Sequence, residues 1–200
     1  MTAIVSMLRA VNVGGHNKVK MDALRALYVS LGLQDPQTCI QSGNVVFRVD
    51  GRSLPLLAKR IEEGIERRFG FRPAVIVRTS SEMRRVIARN PFATRRDLDP
   101  SKLAVIFFAT DPGKAARDTL LAIKPDPEEL RIEGRELYIY FPNGMGQSKL
   151  PALIEKALRT PGTGRNWNTV RKLLEIAERL EPDPARAAFE ARRDRPKLKG

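Results

Sequence analysis

The sequence predicts an α+β fold built from two ferredoxin-like (βαββαβ-type) halves, the second incomplete, with a C-terminal helix. The first observation behind this prediction is the order strand, helix, strand, strand, helix, strand, which recurs along the chain and is typical of a split βαβ arrangement. The second is that the recurrence stops before its last strand. The third is that several predicted strands are apolar on both faces, as in Ile106 beside Phe107, which favours sheets covered on both sides. Two sheets packed together and a single mixed sheet both satisfy this pattern.

Six segments of residues 1–79, the predicted first half, carry the pattern of a strand or a helix. Leucines at helical spacing predict the helix that follows a glycine-rich loop. A Ser-Gly-Asn turn joins the two strands of a hairpin. The second helix has an apolar stripe at every fourth position and a proline in its first turn. In chain order the elements are strand 3–10, helix 21–31, strand 38–41, strand 45–49, helix 53–69 and strand 73–78.

Residues 80–181 form the predicted second half. The run KLAVIFFA is the clearest strand of the chain, and the last helix has apolar residues along one side. Residues 182–200 form a basic tail with few apolar side chains, which we expect to be flexible. The predicted elements of this half are helix 81–89, strand 102–109, helix 112–123, strands 129–133 and 136–141, helix 150–159 and helix 166–180.

The composition excludes several classes of protein. The chain has 200 residues, of which 42% are hydrophobic and 30% charged, as is typical of soluble globular proteins. With one cysteine, Cys39, and one histidine, His16, neither a disulfide framework nor a Cys/His zinc cluster can form. The sequence offers no other obvious ligand set, so we expect no metal site. No apolar run approaches the roughly 20 residues that span a bilayer, and no signal peptide is visible, so we expect no membrane partner and a cytoplasmic location.

The net charge of +13 is concentrated in residues 48–96, which hold 13 basic and 5 acidic residues. Such an excess attracts anionic partners, although a need for solubility also explains it. One interpretation is sequence-neutral nucleic-acid binding by two helices that we expect on the same side of the first half. Base stacking on strand aromatics is disfavoured, because Phe47 is the only aromatic residue of its strand. The arginines of this surface are Arg60, Arg67, Arg68, Arg84, Arg85 and Arg89.

Two polar loops are expected to meet in space. In a 4-1-3-2 sheet the first and second strands run the same way, so the loop after the first strand lies beside the turn after the second. The loop, residues 12–18, offers glycines that a ligand can approach closely, and Lys18 before the first helix. The turn offers Gln41, Ser42 and Asn44 as hydrogen-bonding groups. Together these groups predict an anion site, although turns that bind nothing carry similar glycines.

Two further segments have the composition of binding loops. Residues 144–149 (GMGQSK) lack the spacing GxxxxGK[ST], so they do not predict a nucleotide triphosphatase. Residues 163–169 (TGRNWNT) open the last helix and hold the only tryptophan, Trp167. A core anchor and an asparagine cap explain part of this segment, but Arg165 and two asparagines are more polar than a cap requires.

Four motifs in order, LRAVNVGGHNKVKMDALRAL, IQSGNVVF, NPF and GRNWNTV, resemble those of a family of uncharacterised bacterial proteins called domain of unknown function 1697. The resemblance extends from about Met1 to Leu180, and it implies an α+β fold built from a duplicated unit but no particular activity. Ala10 stands where the family commonly has glycine, Cys39 where an aromatic residue is common, and His16 where lysine is frequent. The shared motif residues are Arg9, Asn12, Gly14, Gly15, Asn17, Lys18, Gln41, Ser42, Gly43, Asn44, Asn90, Pro91, Phe92, Lys149, Arg165, Asn166, Trp167, Asn168 and Thr169.

We therefore predict that the protein binds a small anionic or phosphorylated ligand, with or without turnover, in a pocket lined by Gly, Asn and Lys. Nucleic-acid binding through the arginine surface is the alternative. A pair of Cys39 and His16 is conceivable as nucleophile and base, but the family pattern ties neither residue to its position. The sequence assigns no catalytic residue, cofactor or oligomeric state, and it leaves open whether the protein is an enzyme. The predicted ligand-binding residues are Arg9, Asn12, Gly14, Gly15, Lys18, Gln41, Ser42, Asn44, Lys149, Arg165, Asn166, Trp167 and Asn168.

Overall fold

The computed structural model describes residues 1–41, 43–51, 53–123, 126–158 and 161–181. Within this part of the chain, two four-stranded antiparallel sheets combine with six α-helices, which confirms the predicted α+β class. The strands are β1 (Thr2–Leu8), β2 (Gln34–Cys39), β3 (Asn44–Val49), β4 (Val75–Thr79), β5 (Leu103–Phe108), β6 (Glu129–Glu133), β7 (Glu136–Tyr140) and β8 (Gly162–Asn166). The helices are α1 (Met21–Ser30), α2 (Leu54–Phe69), α3 (Ser80–Ala88), α4 (Gly113–Ala122), α5 (Leu150–Ala157) and α6 (Trp167–Leu180).

The two sheets have equivalent strand orders. The first is β2-β3-β1-β4 and the second is β6-β7-β5-β8. The order strand, helix, strand, strand, helix, strand, helix of residues 2–88 recurs in residues 103–180, so α3 and α6 occupy equivalent places in the repeat. This repeat is consistent with two ferredoxin-like halves. The boundary predicted between residues 79 and 80 coincides with the junction of β4 and α3 and stays a prediction.

The second half contains its last strand, which corrects the prediction that it is incomplete. Strand β8 pairs antiparallel with β5, from Gly162 opposite Phe108 to Asn166 opposite Ala104. Two glycines and no large apolar residue give β8 a low intrinsic strand propensity. Pairing with the central strand of the sheet satisfies its backbone hydrogen-bonding groups and overrides that propensity.

Three apolar cores alternate with the two sheets. Successive residues of a strand face opposite sides of its sheet, so Ile4 of β1 packs towards α1 and α2 whereas Val5 faces a central core. Helices α3 and α6 contribute Val86 and Leu173 to this central core, together with strands of both sheets. The other face of the second sheet packs on α4 and α5. Both sheets are therefore covered on both faces, as their apolar strands predict, and they are separate sheets.

Local chemistry explains where the helices of the first half begin and end. Helix α2 buries Leu57, Ile61 and Ile65, one per helical turn, and is followed by Gly70 with a left-handed φ of 78°. Helix α3 begins with a capping box. In it, the backbone N–H of Glu82 donates to Thr79 Oγ1 at 3.1 Å, and the backbone N–H of Thr79 donates to Glu82 Oε2 at 2.8 Å.

Candidate functional site

The loop after β1 and the turn between β2 and β3 lie side by side. The backbone N–H of Leu8 donates to the carbonyl of Gly43 at 2.9 Å, and Asn12 Nδ2 donates to the carbonyl of Gln41 at 2.8 Å. Gly43 has a φ of +71°, and a Cβ there would lie 3.0 Å from Leu8 Cβ and 3.1 Å from Val11 Cβ. A side chain at this position is therefore both strained and crowded, so the close approach of the two segments depends on this glycine. Ser42 lies outside the described residues.

The loop after β1 is held in shape by its own hydrogen bonds. Gly14 and Gly15 have φ angles of 59° and 81°, as a type I′ turn requires, and the N–H of His16 donates to the carbonyl of Val13 at 3.1 Å. The Asn12 amide completes the loop by accepting from the N–H of Val19 at 2.8 Å and donating to its carbonyl at 3.0 Å. Asn12 therefore acts as a clamp that fixes the loop.

Backbone strain is concentrated in these two loops. Among the described residues, five non-glycine residues have a positive φ, and four of them lie here: Ala10, Asn12, Asn17 and Ile40. This conformation is uncommon for residues with a side chain and rare for β-branched ones such as Ile40, whose φ is 58°. Strained residues persist only where the surrounding structure enforces them, and they cluster at functional sites.

A hollow of about 710 Å³, which we name the lysine hollow, lies against the loop after β1 and the start of α1. Lys18 and Lys20 are both exposed at it, and neither forms an ion pair within the described ranges. The one carboxylate that lines the hollow, Asp22, is paired with Arg25. The lysine hollow is lined by Asn12, Gly15, Lys18, Val19, Lys20, Met21, Asp22 and Gln41. It therefore unites four of the predicted binding residues with a second lysine.

Arg165 connects the two halves from β8. Its Nε donates to Asn44 Oδ1 at 2.5 Å, and its Nη2 donates to the carbonyl of Leu8 at 2.8 Å. The residue is 8% exposed, and burial lowers the pKa of its guanidinium to about 10. Asn44 is fully buried and also donates from Nδ2 to the carbonyl of Cys39 at 3.1 Å. Two of the predicted binding residues are therefore used to join the halves.

A second arginine makes the equivalent connection in the opposite direction. Arg78 lies opposite Val5 in the first sheet, as Arg165 lies opposite Val105 in the second. Arg78 Nη2 donates to the carbonyl of Phe108 at 2.7 Å, and Arg78 Nε donates to Glu136 Oε1 at 3.0 Å. In each half, one buried arginine therefore donates to the carbonyl of the last residue of β1 or β5 in the other half. Arg78 is not among the residues predicted from the sequence, although an arginine within the apolar run AVIVR is an unusual residue for a buried strand.

Among the described residues, the other predicted binding residues do not line the lysine hollow. Asn166 caps α6 by accepting from the N–H of Asn168 at 2.9 Å, and its Nδ2 donates to the carbonyl of Ser101 at 2.5 Å. Trp167 is buried in the central core, with its ring centroid 6.4 Å from that of Tyr138. Lys149 precedes α5 and is exposed. Residues 165 and 166 point to opposite faces of β8, so they cannot both face one pocket.

The arginine surface proposed for nucleic acid is divided. Helices α2 and α3 pack on opposite faces of the first sheet, one in the outer core and one in the central core, which corrects the expectation that they share a side. Arg60, Arg67 and Arg68 are therefore separated by the sheet from the arginines of α3 and its C-terminus, Arg84, Arg85 and Arg89. In addition, Arg84 forms ion pairs with Glu178 and Glu181 of the C-terminal segment. The basic tail, residues 182–200, lies outside the described residues.

The described residues do not favour a metal site or a nucleophilic role for Cys39. They contain no group of three or more His, Cys, Asp or Glu side chains that could hold a metal ion. Cys39 is buried, and burial raises the pKa of its thiol, which is unfavourable for a nucleophile. His16 is exposed in the loop after β1. None of the described helices combines the length and the apolar character needed to cross a membrane.

Comparisons with known proteins place the chain in a family. A solved structure titled as a conserved bacterial protein, SP0830 from Streptococcus pneumoniae, is similar to it with a TM-score of 0.68 and 23% sequence identity, over 88% of this chain and 98% of that one. This similarity supports the fold. No curated protein sequence matches this chain. Residues 1–138 match the family described as "Protein of unknown function (DUF1697)". That match covers more than half of the chain, so the protein belongs to this family.

Proposed function

We propose that the protein binds a small anionic or phosphorylated ligand in the lysine hollow, with or without chemical turnover. One observation carries the proposal: two exposed lysines, free of ion pairs within the described ranges, line the same hollow as Asn12, Gly15 and Gln41. The volume of about 710 Å³ is within the range of small-molecule sites. Lysine ammonium groups bind phosphate as point charges, so this chemistry suits a phosphorylated metabolite.

The loop that carries the lysines is pre-organised. The Asn12 clamp and the Gly14-Gly15 turn hold it through hydrogen bonds that a ligand need not break. A site that is already ordered loses less conformational entropy on binding than a flexible one. The carboxylate of Asp22 pairs with Arg25, three residues along α1, rather than with either lysine. Nucleic-acid binding is disfavoured, because the arginines that would contact the phosphates are divided between two faces of a sheet.

A thermal-shift panel of nucleotides, sugar phosphates and inorganic pyrophosphate tests the proposal. A ligand present at 100 times its Kd should add about 2.7 kcal/mol to the free energy of unfolding. Lys18→Ala should weaken the binding of that ligand by about 10-fold, because it removes a charge-assisted contact. Lys59→Ala is the matched control, since Lys59 is an exposed lysine on α2, on another part of the surface. No shift from any compound, or equal binding by the Lys18→Ala variant, would contradict the proposal.

A further inference from the structure

A second cleft, which we name the inter-half cleft, lies between the loop after β1 and the outer face of the second sheet. Its volume is about 530 Å³, within the usual range of ligand sites. Arg9, Ala10 and Val13 of the first half form one side. The other side is formed by β5, α5, β8 and the segment before β8, which contribute apolar side chains such as Ile106, Ile154 and Leu158. The cleft thus has a cationic edge at Arg9 and an apolar wall on the side of β5 and α5.

The repeat explains why the second sheet has room for this cleft. Gly162 and Gly164 of β8 occupy the register positions that Val75 and Val77 hold in β4. The two valines pack with α2 in the core of the first half. At Gly162 the side chains of Ile106 and Phe108 fill the space that a Cβ would take, 2.8 and 3.0 Å away, whereas the space at Gly164 is open. A Cβ at Gly164 would meet no atom closer than Ile106 Cγ1 at 3.9 Å, and its φ is not in the left-handed region. A larger side chain at position 164 would therefore project into open space beside the cleft.

The charged edge of the cleft is held by an exchangeable ion pair. Arg9 Nη2 donates to Glu155 of α5, and within the described ranges this is the only hydrogen bond made by the Arg9 side chain. The Glu155 side chain is 68% exposed, so solvent screens this pair and it adds little to stability. A guanidinium has five N–H donors and matches a carboxylate in bidentate geometry. A ligand carboxylate can thus replace Glu155 on Arg9 at low cost.

We infer that the inter-half cleft binds an amphiphilic carboxylate, with the carboxylate on Arg9 and the apolar chain against Ile106, Ile154 and Leu158. This site is separate from the lysine hollow and does not depend on it. Gly164 acts as the specificity element, because a side chain there would occupy the space of the apolar chain. Glu155 acts as an internal competitor for Arg9.

Isothermal titration calorimetry with octanoate tests this inference on the full chain, with 1-octanol as the probe that lacks the charge. Arg9→Gln should weaken octanoate binding by at least about 10-fold, and Glu155→Gln should strengthen it several-fold. Gly164→Val should abolish binding while the unfolding midpoint stays equal to or above that of the wild type, because valine suits a strand better than glycine. Lys59→Gln is the matched control and should bind octanoate as the wild type does, since Lys59 occupies the equivalent of the Glu155 position in the repeat.

The pattern of results decides the inference. Octanoate binding that is lost in the stably folded Gly164→Val variant and retained in Lys59→Gln supports it. Absence of octanoate binding by the wild type overturns it. Equal binding of 1-octanol and octanoate would show that Arg9 does not bind the carboxylate. Unchanged octanoate binding by Gly164→Val would show that the apolar chain does not lie beside Gly164. Lys18→Ala should leave octanoate binding unchanged, so failure of this inference is distinguishable from failure of the lysine-hollow proposal.

Discussion

A single substitution at the buried contact between Arg165 and Asn44 should markedly lower the free energy of unfolding. Asn44→Ala removes the acceptor of Arg165 Nε, at 2.5 Å, and the donor to the carbonyl of Cys39, at 3.1 Å. Asn44 is fully buried and Arg165 is 8% exposed, so water cannot readily replace the lost groups. The structure therefore predicts a loss of stability rather than a loss of ligand binding.

The magnitude follows from the two hydrogen bonds. A buried hydrogen bond to a charged group contributes about 1.5–3 kcal/mol, and a neutral one about 1 kcal/mol. Together they predict that Asn44→Ala lowers the free energy of unfolding by about 3 kcal/mol. Arg165→Met removes the buried charge and, with it, the donors to Asn44 Oδ1 and to the carbonyl of Leu8. A double-mutant cycle that combines it with Asn44→Ala should give a coupling energy of about 1.5–3 kcal/mol.

Urea unfolding followed by circular dichroism measures all four proteins of this cycle. Asn168→Ala is the control, because Asn168 is an exposed asparagine of α6, and it should change the free energy by less than about 0.5 kcal/mol. A loss below about 1 kcal/mol for Asn44→Ala, or additive effects in the double variant, would refute the reasoning. Anion binding to the lysine hollow should be unchanged in Asn44→Ala, because Asn44 does not line that hollow.

Three further outcomes follow from the described contacts. Ala10→Gly should raise the free energy of unfolding by about 0.5–1 kcal/mol in thermal or urea unfolding, because Ala10 has a left-handed φ of 54°. A decrease would contradict the inference that the backbone is strained at Ala10. Thr79→Ala should lower the free energy of unfolding by about 1 kcal/mol through loss of the capping box with Glu82, and Thr94→Ala, at an exposed threonine outside the helices, serves as the comparison. Burial raises the pKa of Tyr28 and of Tyr138, so these phenols ionise at lower pH in the unfolded state and stability should fall as pH rises above about 10. Tyr28→Phe should make that fall shallower in urea titrations at successive pH values, and an unchanged slope would refute the assignment.

The sequence was sufficient to predict those helices and strands whose own residues carry a hydrophobic periodicity. The stripe of Leu57, Ile61 and Ile65 predicts α2 because one helix face carries the whole apolar signal. Strand β8 is the contrary case, since residues 162–166 carry no strand pattern and become a strand only by pairing with β5. Its absence from the predicted elements reflects a long-range interaction that outweighs local propensity.

The candidate site divides in the same way. That the loop after β1 lies beside Gly43 follows from strand order, which a repeated βαββαβ pattern restricts strongly. That Asn44 and Arg165 serve the contact between halves, while Lys18 faces a separate hollow, depends on side-chain directions that no pattern of residues indicates. The residues of the family motifs were therefore identified from the sequence, but their roles were not.

The amino-acid sequence alone determined the α+β class, the order of thirteen of the fourteen helices and strands given above, and the rim of the sheet where the polar loops meet. These depend on periodicity and turn chemistry, which act over a few neighbouring residues. Only the tertiary structure decided that α2 and α3 lie on opposite faces, that residues 121 positions apart form the buried Asn44–Arg165 contact, and that two glycines border a cleft. Those outcomes depend on how two separately patterned halves pack against each other, and the free energy of that packing is shared among residues distant in sequence.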